Sequence, residues 1–134
     1  MPTASITYKG NLRTKSIHNL SNSELFTDAP IDNNGKGEGF SPTDLIVTGL
    51  GACVLTIIGI YSSSINEKFT QGNIEIDKIM SSKPRRISAI NLTLNIKGND
   101  WDKKTTSKII NAAKNCPVFY SLNPDIDIKW KIVS

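Results

Sequence analysis

A chain of 134 residues, 38% hydrophobic and 21% charged, has the size and composition of one folded domain, residues 1–134, and not of a disordered or low-complexity segment. A formal charge of +4 is carried by scattered lysines with only 7% aromatic residues, so a nucleic-acid-binding face is not expected, and the densest basic cluster, Lys83-Pro-Arg-Arg86, reads as a solvated turn. One histidine and two widely separated cysteines form no CxxC or HxxxH pair, so neither a metal nor a cofactor is expected.

The N-terminal Met1 to Lys9 has no apolar core of the kind a secretory signal needs, and a cytoplasmic location is the expectation. Ile6 to Tyr8, Leu12 to Ile17 and Glu24 to Asp28 have strand-like content and are separated by Lys9-Gly-Asn11 and a polar stretch, which predicts a small antiparallel meander. Pro30 to Gly39 is rich in Gly and Asn and reads as a mobile loop, without a phosphate-binding glycine pattern. Next comes the stretch on which the chain is organised, free of charge from Leu45 to Asn66. Ser41 is placed as an N-cap, Pro42 at the first helical position and Asp44 at capping-box spacing.

A helix apolar on every side must be surrounded by lipid or by protein. Gly49, Gly51, Gly59, Thr48, Thr56 and Ser62 to Ser64 dilute this one and no basic flank precedes it, so a core helix is expected and not a membrane span. So short a chain has little protein to wrap such a helix, and a second copy, giving a homo-oligomer, is the expected cover. Downstream, Asn73 to Ser81 and Ile87 to Ile96 alternate apolar and polar residues and predict a hairpin with one wet face. Trp101, Thr105, Ile109, Ala112, Ala113 and Cys116 share a helical stripe, capped by Asn99 or Asp100 and stopped at Cys116 by Pro117. Asp125 to Ile132 alternates and reads as a last strand. The order β-β-β-α-β-β-α-β is that of an α+β fold with mostly antiparallel strands packed on one or two helices.

Two reduced thiols are the chemistry this chain offers. Redox catalysis requires one thiolate stabilised by a cation and a second thiol that captures the oxidised sulfur. Cys53 lies too deep in its helix for the N-terminal dipole to act on it, so Arg13 is the candidate cation. Cys116, read at a helix C-terminus, suits the resolving role. Buried cysteines acting as small hydrophobes are the structural alternative, and a cysteine hydrolase would need His18 beside Cys53.

Gly39-Phe-Ser-Pro-Thr-Asp-Leu-Ile-Val-Thr-Gly-Leu-Gly-Ala-Cys53, with Gly10-Asn-Leu-Arg13, Asp28-Ala-Pro30 and Cys116-Pro117, resembles the signature of the OsmC/Ohr superfamily (osmotically induced protein C and organic hydroperoxide resistance protein) along nearly the whole chain. The resemblance implies an OsmC-like fold in an interwoven homodimer, with sheets wrapped around long central helices. It implies thiol-dependent reduction of organic or inorganic hydroperoxides, with an external dithiol reductant as partner. Carried over by position, Cys53 would be the peroxidatic thiol, Cys116 the resolving thiol and Arg13 the cation that holds the thiolate and polarises the peroxide. Thr43 departs from the pattern, because the better-characterised branches carry a glutamate there that pairs with the arginine; Asp44 or Glu38 would have to substitute. The departure keeps in view a non-catalytic OsmC-fold protein that binds an apolar small molecule at the subunit interface, and a thiol-based redox sensor.

Overall fold

The computed structural model describes residues 1–134, which divide into two compact units, Met1–Ile46 and Val47–Ser134. In the first, β1 (Ala4–Gly10), β2 (Arg13–His18) and β3 (Glu24–Asp28) form the expected antiparallel meander in the order β1-β2-β3. The β1–β2 turn is tight because Asn11 and Leu12 both take left-handed φ values, 55° and 63°, the pairing that matches the twist of a two-residue hairpin. Leucine tolerates that region poorly, and its carbonyl is held by the Ala29 N–H at 3.2 Å. Ile6 pairs with Ser16 and Ser16 with Leu25, so Ile6, Tyr8 and Leu25 lie on one sheet face, and all three are exposed.

The segment from Pro30 to Phe40 is more ordered than the mobile loop its composition suggests. A short 3-10 turn at Ile31–Asn33 opens it, and the Gly35 N–H then donates to Pro30 O at 2.9 Å and the Gly37 N–H to Ala29 O at 3.2 Å. A Cβ built on Gly35 would lie 1.7 Å from the Ala29 carbonyl oxygen, and Gly37 has φ +63°. Glycine here is a requirement of close backbone approach.

Helix α1 runs over Pro42–Ser64. Its start is the anticipated capping box: the Ser41 N–H donates to Asp44 Oδ2 at 2.9 Å and the Asp44 N–H to Ser41 Oγ at 3.1 Å. Within its uncharged stretch, the Thr56 hydroxyl donates to Ala52 O, Ser62 to Ile58 O and Ser64 to Tyr61 O. By length and composition alone α1 could cross a membrane, and 33% of its most apolar window is buried.

In the second unit, β4 (Asn73–Ser81), β5 (Arg86–Asn95) and β6 (Asp127–Val133) form a sheet in the order β4-β5-β6. Lys83-Pro-Arg-Arg86 is the β4–β5 turn, where the Arg86 guanidinium donates to the Ser82 and Pro84 carbonyls. β4 and β5 are antiparallel, whereas β6 runs parallel to β5. A parallel neighbour needs a crossover, supplied by α2 (Lys103–Ala113) and a further short helix, α3 (Pro117–Ser121).

The register stacks Ile74, Leu94 and Ile132 across one sheet face, and Ile76, Leu92 and Trp130 beside them. This face joins Leu50, Val54 and Ile58 of α1 and Ile109 and Ala113 of α2 in one core. Gly51 faces β4, where a Cβ would make ordinary contact with Ile74 at 3.5 Å. The opposite sheet face carries Glu75, Asp77, Asn91 and Lys129, all exposed.

Two expectations at α2 are corrected. Its N-cap is Asp102, whose carboxylate accepts from the Thr105 N–H at 2.7 Å, and not Asn99 or Asp100. Asn99 instead ties Thr70 and Gln71 to Ile96. The helix also ends at Ala113 and not at Cys116. Pro117 does not stop a helix but starts one, because proline at the first helical position forgoes an N–H that no carbonyl needed.

Leu50 is fully buried, so Leu50→Ala should lower stability by about 2–5 kcal/mol. Glu75→Ala on the wet sheet face should change it by less than about 0.5 kcal/mol. Denaturant titrations of the two variants check the assignment of the core face.

Candidate active site

The two cysteines are brought together. Cys53, half-buried on α1, packs against the core cluster that contains the fully buried Cys116, and both thiols are free. The two side chains are near neighbours, close enough for Cys53 to act electrostatically on the Cys116 thiol. Helix α1 places one sulfur and the crossover after α2 places the other, so two residues remote in sequence share one apolar setting.

The local environment of Cys116 differs from expectation. It is the N-cap of α3, and the Phe119 N–H donates to its Sγ at 3.4 Å. The dipole argument against a thiolate therefore does not apply, since the nearest helix points its N–H groups at the sulfur. Burial nevertheless dominates and pushes the Cys116 thiol above its ordinary value; the Phe119 N–H opposes that, and the neighbouring Cys53 adds to the rise. A protonated Cys116 at neutral pH still fits a resolving thiol, for a different reason from the one the sequence suggested.

In the first unit, Arg13 meets two acids. Its Nη2 donates to Glu38 Oε2 at 3.1 Å, and its Nε lies 3.9 Å from Asp28 Oδ1. Of the two acids that could take the place of the glutamate absent at Thr43, Glu38 is the one whose carboxylate bonds Arg13, while Asp44 serves the capping box. Asp28 was not singled out from sequence as a functional residue. It is 1% exposed, and its Oδ2 accepts the Glu38 N–H at 2.9 Å. An acid at the end of a strand is ordinary in sequence, and the signal that would have exposed it is register: Arg13 and Asp28 are directly paired on β2 and β3. His18 is engaged locally, its Nδ1 2.6 Å from Ser21 Oγ.

A two-layer α+β unit carrying an adjoining pair of free thiols is the class of protein that these elements define. The family model for OsmC-like protein matches residues 35–131. The chain belongs to the OsmC/Ohr family. Among solved structures, one from Psychrobacter arcticus 273-4, provisionally described as an osmotic stress induced and detoxification response protein, is 45% identical, with 98% of this chain and 96% of that one covered and a TM-score of 0.92. An organic hydroperoxide resistance protein OsmC from Legionella pneumophila is 15% identical over 100% and 98% of the two chains, with a TM-score of 0.77. The organic hydroperoxide resistance protein OhrB of Bacillus subtilis is 19% identical over 98% of both, with a TM-score of 0.68. These last two share the fold. No curated protein sequence matches the chain significantly.

With its thiol pushed up by burial, Cys116 should be alkylated by iodoacetamide only as the pH is raised past 9.0, the ordinary thiol value. Stability should fall over the same range, because the unfolded chain ionises this thiol first and so binds fewer protons than the folded one. Peptide mapping of labelled protein, with Cys116→Ser as the control for the stability decline, checks both; labelling of Cys116 at neutral pH as fast as a free thiol would contradict the assignment.

Proposed function

We propose that this protein is a thiol-dependent peroxidase that reduces organic or inorganic hydroperoxides in an osmotic or peroxide stress response. The observation that carries this is the adjoining pair of free thiols, one half-buried and one fully buried, in a member of the OsmC/Ohr family. Further support comes from the relatives of the same fold that are named organic hydroperoxide resistance proteins.

The Cys53 thiolate attacks the distal oxygen of the hydroperoxide. The O–O bond breaks, the sulfur is oxidised to a sulfenic acid, and the alkoxide or hydroxide leaves and takes a proton as alcohol or water. Cys116 then gives up its proton and attacks the sulfenic sulfur as a thiolate; the S–S bond forms, the S–O bond breaks, and the oxygen leaves with that proton as water. An external dithiol reduces the disulfide by two exchanges and becomes oxidised itself. Arg13 supplies the cation that stabilises the Cys53 thiolate and the negative charge developing on the peroxide, the role that the family resemblance implies. Glu38, hydrogen-bonded to Arg13, takes the part of the family glutamate.

With dithiothreitol as reductant and cumene hydroperoxide as substrate, Cys53→Ser should abolish turnover. With peroxide and no reductant, Cys116→Ser should hold the sulfenic acid where the native protein forms a disulfide, and in the coupled assay Arg13→Ala should lower kcat/KM by about 10²–10³-fold. Full activity in Cys53→Ser would overturn the reading. Absence of turnover in the native protein, joined to tight binding of fatty acyl ligands, would favour the non-catalytic binder instead.

We infer also that the protein is a soluble, cytoplasmic homodimer. Ile6 and Tyr8 are 65% and 64% exposed on the first sheet, and Ile60 is 62% exposed on α1. Apolar groups left bare on a sheet face and on a helix this hydrophobic need cover. Sedimentation equilibrium should give twice 14.7 kDa; a monomer at micromolar concentration would refute the assembly.

A further inference from the structure

We propose that Asp28 is a positioning residue for Arg13 and Glu38, and that the tight segment from Gly35 to Phe40 exists to let it act so; this rests on the proposed peroxidase role of Arg13. Asp28 is almost completely buried, and its carboxylate faces in two directions. Oδ2 accepts the Glu38 N–H at 2.9 Å, while Oδ1 has no hydrogen-bond donor and lies 3.9 Å from Arg13 Nε. A buried carboxylate oxygen without a donor is unfavourable unless a cation offsets it, and the guanidinium is the group at hand. The same residue's backbone N–H donates to Phe40 O at 2.9 Å, so both sides of Glu38 are tied to one strand end.

The consequence is geometric. Arg13 is anchored by its backbone opposite Asp28 in the strand register, and Glu38 is anchored by its own N–H to the Asp28 carboxylate. Only with both anchors does the Glu38 carboxylate meet Nη2 at 3.1 Å. Arg13 keeps 45% of its side chain exposed, so without Asp28 nothing buried holds it. A guanidinium that is charged and yet held by two acids at different atoms has one orientation where a free arginine has many, and orientation is worth large factors in rate. Asp28 touches neither sulfur nor peroxide in this scheme and works through Arg13 and Glu38.

The test compares Asp28→Ala, Asp28→Asn, Arg13→Ala and the Arg13→Ala/Asp28→Ala double variant. Asparagine keeps an oxygen for the Glu38 N–H but removes the charge facing Arg13, so it also serves if the alanine variant fails to fold. Two quantities are read: kcat/KM with cumene hydroperoxide and dithiothreitol, and the solvent exchange of the Arg13 Nε–H proton by NMR. Asp28→Ala should lower kcat/KM by about 10²-fold, Asp28→Asn by less, and the double variant should be no slower than Arg13→Ala. The Arg13 Nε–H should exchange faster in both Asp28 variants. Losses that multiply in the double variant, or an Nε–H exchange rate untouched by Asp28→Asn, would overturn the proposal. Should the native protein reduce no peroxide, the peroxidase reading fails, and the exchange measurement alone still decides whether Asp28 positions Arg13.

Discussion

Helix α1 has no charged residue after Asp44, and the core of the second unit is built against it. The hydroxyls of Thr56, Ser62 and Ser64 bond back to its own carbonyls. One side, through Leu50, Gly51, Val54 and Ile58, packs with the apolar face of the β4-β5-β6 sheet, where the strand register stacks isoleucine and leucine in rows. Cys53 rides on the same helix at the margin of the core. A thiol in that position is sheltered without being sealed.

The partner sulfur is set by the crossover. Because β6 is parallel to β5, the chain must return across the sheet, and α2 and α3 make that return. Cys116 falls at the break between them, fully buried, with the Phe119 N–H on its sulfur and Cys53 alongside. Burial holds its proton on, and the N–H donor lowers the penalty when the proton leaves. These two influences oppose one another at the Cys116 sulfur, and the nearby Cys53 adds to the rise that burial causes.

In the first unit the same logic of burial works on charge. Few residues of that unit are buried, Thr27, Asp28 and Ser41, and Asp28 is the acid among them. Its carboxylate is offset by the Arg13 guanidinium and by the Glu38 N–H, which makes Arg13 a restrained cation where a surface arginine would be a loose one. Gly35 and Gly37 are the sequence's concession to this arrangement, because the loop passes too close to Ala29 and Ile31 for any side chain.

Much of this was legible in the chain itself. The three-strand meander, the capping box at Ser41 and Asp44, the start of α1, the wet-faced hairpin and the last strand all follow from local spacing and propensity, and the motif ending in Cys53 carried the family. The differences are also local in origin: proline after Cys116 starts a helix where it could equally stop one, and the glycines of the 30–40 segment serve close packing. Tertiary structure alone decided that β6 is parallel, that Cys53 and Cys116 adjoin, and that Arg13 sits opposite Asp28 with Glu38 brought back to it. The physical reason is that periodicity and capping are properties of neighbours along the polymer, whereas strand direction, register and the meeting of two sulfurs depend on which long loops close, and no short window of sequence encodes that.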